Sequence, residues 1–98
     1  MFGGAGRTFL VESYVPRLDE QAASTLSSRL REAIRQLDEE GMTLRWGGSF
    51  ALVDEETYIC IIVAPKVDDV VQLGERAGVE HDHVVEAFAI DAPATQGR

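Results

Sequence analysis

The order of periodic segments in this 98-residue chain predicts one α+β domain built as strand, helix, strand, strand, helix, strand. Three observations carry the prediction. Residues 8–15 alternate between two faces, Phe9, Val11 and Val15 on one and Leu10, Glu12 and Tyr14 on the other, which is the period of a strand. Leu18, Ala22, Leu26, Leu30, Ile34 and Leu37 recur at the spacing of one helix face. Residues 57–63 form a β-branched run that follows the polar turn Asp54-Glu55-Glu56, so a hairpin joins it to the segment before.

Each element has its own boundaries. Pro16 ends the first strand, Asp19 caps the long helix and Gly41 terminates it. Residues 43–53 read as a second strand, bent or bulged at Gly47-Gly48. After Pro65, the residues Val67, Val70, Val71, Gly74 and Ala77 outline one face of a second helix that stops at Gly78, and Gly74 weakens it. A fourth strand is expected over residues 84–90. Residues 1–7 are expected to be a flexible leader, residues 8–91 the single domain and residues 92–98 a polar flexible tail. With right-handed crossovers this order gives the ferredoxin-like topology: a four-stranded antiparallel sheet ordered 4-1-3-2 with both helices on one face.

Composition narrows the function classes. With 45% apolar and 27% charged residues the chain is that of a folded domain. Its formal net charge of −8 has the wrong sign for holding nucleic acid or an anionic membrane surface. The longest apolar run, residues 58–64, is far short of the ~20 residues of a membrane-spanning helix. A lone cysteine, Cys60, forms no internal disulfide, which fits a reducing cytoplasm.

Central strands one and three would place Phe9, Val11, Ile59, Ile61 and Val63 under the helices. That leaves Leu10, Tyr14, Tyr58, Cys60, Ile62, Phe88 and Ile90 on the open face. Such a patch is too apolar for water, and burial against a second copy predicts a homodimer.

Several residues invite a functional reading. Glu12 and Glu86 interrupt apolar strands that are neighbours in the expected sheet, so both could share the open face, as a structural pair with Arg45 or Tyr14 or as part of a ligand site. Trp46 beside Arg45 and Gly47-Gly48 could line a pocket or belong to the core or dimer interface. His81-Asp82-His83 sets two imidazoles on one side of an extended segment, a spacing that holds Ni²⁺, Cu²⁺ or Zn²⁺ when further ligands arrive, and otherwise an exposed turn. Cys60 reads as a small buried hydrophobe or as a thiolate in need of an activating base.

The stretches Phe9-Leu10-Val11-Glu12-Ser13-Tyr14-Val15-Pro16, Arg45-Trp46-Gly47-Gly48-Ser49, Tyr58-Ile59-Cys60, Ala64-Pro65, Arg76-Ala77-Gly78 and Asp82-His83-Val84-Val85-Glu86 resemble a family of small bacterial ferredoxin-like proteins of unknown function that includes a nickel-binding dimer. The resemblance implies the fold, a dimer and a divalent transition metal such as nickel. It departs at Leu73, where members carry a histidine, and at Val79-Glu80-His81, where they have proline and small residues. The function expected is therefore a cytoplasmic dimeric binding protein. It would hold a metal ion or small molecule through Glu12, Tyr14, Arg45, Trp46, Tyr58, Cys60 and Glu86, with Glu12, Glu86, His81 and His83 as the metal donors. Two alternatives stand beside it: an isomerase or oxygenase of the dimeric α/β-barrel type, and a regulatory module that pairs with another protein.

Overall fold

The computed structural model describes residues 6–88 and 90. Its elements are β1 (Arg7–Tyr14), α1 (Glu20–Glu39), β2 (Arg45–Leu52), β3 (Thr57–Ala64), α2 (Val67–Ala77) and β4 (His83–Ala87). The sheet runs β2-β3-β1-β4 with every neighbouring pair antiparallel. That is the expected order read from the other edge.

Local chemistry explains the boundaries. Asp19 caps α1 by accepting a hydrogen bond from the Ala22 amide at 2.8 Å, and Gly41 takes up φ +99° where the helix ends. Between Trp46 and Gly48 the β2–β3 register shifts, as expected of the glycine pair. A Cβ on Gly47 would stand 2.7 Å from Cγ2 of Ile61, so the bulge tolerates only glycine there. Arg7, assigned from the sequence to a leader, is the first residue of β1 and pairs with Ala64. The fourth strand ends at Ala87, earlier than expected, with Phe88 and Ile90 exposed beyond it. The rest of the expected leader and the expected tail lies outside the described residues, apart from Gly6.

One face of the sheet packs under the helices. Phe9, Val11, Tyr58, Cys60, Ile62 and Ala64 meet Leu30, Ile34 and Leu37 of α1 and Val70 and Leu73 of α2. Here two sequence expectations are corrected. The buried set of β3 is Tyr58, Cys60, Ile62 and Ala64, so Ile59, Ile61 and Val63 occupy the open face instead. Both sets of β3 side chains are apolar, so hydrophobicity does not choose between two registers that differ by one residue. Pairing with β1 decides, because Phe9 and Val11 stand opposite Ile62 and Cys60. The second correction concerns α2, which buries Asp69, Val70, Leu73 and Gly74 and leaves Val67 and Val71 exposed. An ion pair between Arg76 and Glu40 at 2.9 Å joins the two helices near their C-terminal ends.

Candidate functional site

Antiparallel pairing places directly opposite residues on the same face, so the register writes out the open face as rows. Arg45, Val63, Thr8 and Ala87 form one row, and Gly48, Ile61, Leu10 and Val85 the next. Phe50, Ile59, Glu12 and His83 follow, and then Leu52, Thr57 and Tyr14. Its centre is aliphatic. Phe50, Leu52 and Val85 are exposed by 61, 41 and 45%, and Leu10, Ile59, Ile61 and Val63 are only partly covered. The expected apolar face therefore exists, with a membership that differs on β3 and on β4, where Val85 stands on the face and Phe88 and Ile90, expected there, lie beyond the end of the strand.

The expected carboxylate pair does not. Glu12 stands opposite His83 on the open face, whereas Glu86 stands opposite Phe9 on the helix side. There Arg7 grips Glu86 with both ends of its guanidinium, Nε to Oε2 at 3.0 Å and Nη2 to Oε1 at 2.7 Å, and lies 5.7 Å from the Phe9 ring centre. That contact lowers the pKa of the Glu86 carboxyl and raises that of Arg7. Glu86 is thus a structural ion-pair partner at the sheet edge, and its charge is answered by a residue that the sequence reading left in the leader.

The two histidines part company as well. His83 lies on the open face with Nδ1 3.9 Å from Oε1 of Glu12. His81 turns to the helix side, where its ring sits against Gly74: a Cβ there would come within 2.7 Å of Cε1 and 2.8 Å of Nδ1. The glycine that weakens α2 is the space that the imidazole fills. Among the described residues neither buried His81 nitrogen has a hydrogen-bond partner, and burial lowers the His81 pKa, with Asp82 opposing. The segment is tied to β1 on either side of His81: Ser13 Oγ donates to the Glu80 carbonyl at 2.7 Å, the Asp82 amide to the Glu12 carbonyl at 2.9 Å and the Tyr14 amide to Oδ2 of Asp82 at 2.6 Å. An open groove of about 530 Å³ runs past His81 between α2 and β4, with Val71, Glu75, Glu80 and Val84 on its walls.

Tyr58, Cys60 and Trp46, expected on the ligand-bearing face, belong to the helix side. The Tyr58 hydroxyl meets Oγ of Ser27 at 2.6 Å, and Ser27 in turn meets Ser49 at 3.0 Å. Trp46 packs against the core with the Arg31 guanidinium 6.0 Å from its ring centre. Cys60 is 1% exposed, and burial pushes its thiol pKa up to about 12. At neutral pH its thiol stays protonated inside the core, away from the open face. Its reaction with a thiol reagent is accordingly expected to be negligible in the folded protein and complete in denaturant. Rapid native labelling would show that β3 opens locally.

Tyr14 remains at the open face's corner, 60% exposed, with its hydroxyl on Glu56 at 3.1 Å; that bond raises its pKa. Arg45 is exposed on edge strand β2, two strands and two rows from Glu12 and on the opposite face from Glu86, so it cannot partner either glutamate within one chain. Among the described residues, no group of three or more His, Cys, Asp or Glu side chains converges. Of the four expected metal donors, the fold brings together only Glu12 and His83.

Comparison with solved structures adds one observation. The crystal structure of SCO4226 from Streptomyces coelicolor A3(2) superposes with a TM-score of 0.67 at 15% identity, covering 86% of this chain and 99% of that one. The likeness shows the fold. No family model matches the chain, and no curated protein matches it. No helix among the described residues is long and apolar enough to cross a membrane.

Proposed function

We propose that this protein is a self-associating binding module: two copies meet through their open sheet faces, and the small molecule they bind is held where the faces meet. The observation that carries the reading is the open face itself. Leu10, Ile59, Ile61 and Val63 form a continuous aliphatic centre flanked by exposed Phe50, Leu52 and Val85, on the side of the sheet that no helix covers. A face of this kind on a small domain is an interaction surface. Glu12 and His83 supply the polar contact at its margin, a carboxylate that accepts and an imidazole that accepts or donates. Among the described residues of this face a divalent metal would find two donors, Glu12 and His83, so the proposal rests on association and not on a cation.

Sedimentation at micromolar concentration tests it. The expected result is a dimer for the natural chain and a monomer with unchanged circular dichroism for Phe50→Asp, whose side chain is 61% exposed and contributes little to the monomer. A sharp monomer for the natural chain, with no binding of a hydrophobic dye, would refute the reading.

A further inference from the structure

The charges of the open face are placed for an isologous contact, and from them we infer how the two copies are registered: Arg45 of each lies over Glu12 of the other, about a two-fold axis that passes Ile61. This inference rests on the association proposed above. Among the described strand residues of the face, Arg45 is the one permanent cation and Glu12 the one carboxylate. Two chains that each carry a formal net charge of −8 repel one another, so a self-association surface must be locally neutral. This face is, provided its own cation meets its own anion.

Position makes that possible only across a dimer. Arg45 and Glu12 lie two strands and two same-face steps apart, and the residue midway between them, one strand and one step from each, is Ile61. A two-fold axis lying between the sheets over Ile61, perpendicular to the line joining Arg45 and Glu12, exchanges the two charges. It forms two identical ion pairs around an aliphatic centre. On an ideal sheet, with about 4.8 Å between strands and about 3.4 Å per residue, the strands of the two copies then cross at roughly 70°. That lies near the orthogonal class of sheet packing. Among the described residues Arg45 has no hydrogen-bond or ion-pair partner, and His83 approaches Glu12 only to 3.9 Å, so both charges are available. Each end of the interface then gathers Glu12 and His83 of one copy with the guanidinium of the other, a polar corner that a single chain lacks.

A charge-reversal cycle tests the registration. Arg45→Glu and Glu12→Arg should each raise the dimer dissociation constant by at least about tenfold, because each sets two pairs of like charges face to face. The double variant restores opposite charges and should return to within about threefold of the natural chain. Should reversal disturb the sheet, Arg45→Gln, Glu12→Gln and their combination serve instead, and the combination should dissociate no more readily than either alone. If Phe50→Asp abolishes the dimer while the double reversal is no tighter than the singles, the registration is wrong and the association stands. A monomeric natural chain overturns both.

Discussion

Leu30→Ala is expected to destabilise the fold by about 2–5 kcal/mol, the range for deleting most of a fully buried leucine. Leu30 is 0% exposed on the buried stripe of α1, in a core with Phe9, Cys60 and Leu73, so truncation leaves a cavity among them. The adjacent Arg31→Ala is expected to lose less than about 1 kcal/mol, since this exposed side chain contributes mainly its stacking on Trp46. Denaturant titrations of the two variants, read at equal slope, measure the difference. Coincident midpoints would mean that the stripe of α1 is not the one buried.

Replacing His81 by leucine is expected to stabilise the protein at neutral pH by about 1–3 kcal/mol, the penalty for a buried polar group left without a partner. Both imidazole nitrogens are buried and have no partner among the described residues, whereas leucine presents no polar atom to the same surroundings of Gly74, Val79 and Val84. The same substitution should flatten part of the acid response. Burial lowers the folded-state pKa of His81 below its ordinary 6.5, so beneath that value the unfolded chain binds the proton more readily than the folded one. The linked stability is complete above about pH 6.5 and falls as acid approaches the lowered folded value. Groups facing the ring cut both ways: Asp82 favours the charged form, and Glu75 and Glu80 line the same groove. Thermal denaturation between pH 8 and 5 should thus show a steeper decline for the natural chain than for His81→Leu. Parallel curves, or a destabilised variant at pH 8, would place the imidazole in a satisfied site.

Where the sequence was informative, the signal was local or periodic. The stripe of α1, its Asp19 cap and its Gly41 stop were readable because a single helix face repeats over many turns and its ends need particular side chains. In β1 only one register buries Phe9 and Val11 while exposing Glu12, so its faces were readable too. β3 offered no such contrast: with isoleucines on one face and Tyr58, Cys60 and Ile62 on the other, either assignment satisfies the alternation. The candidate site inherited that ambiguity. Tyr58 and Cys60 moved to the core, and the open face kept its apolar character through Ile59, Ile61 and Val63.

The amino-acid sequence by itself determined the order of elements, the sheet topology and the existence of one apolar sheet face without a helix. Period, caps and turns are properties of neighbouring residues, and chain connectivity admits few arrangements of them. Only the tertiary structure decided which residues share a face and which charges answer one another. Glu12 and Glu86 looked equivalent as carboxylates in apolar strands, yet an odd separation of three positions in the β1–β4 ladder sends them to opposite sides, one beside His83 and the other into the grip of Arg7. His81 and His83 are separated by the same kind of decision, since one ring fills the gap at Gly74 and the other faces outward. Such partners lie up to 79 residues apart in the chain. No local pattern encodes their distance, because register is set by the pairing of whole strands rather than by any residue within them.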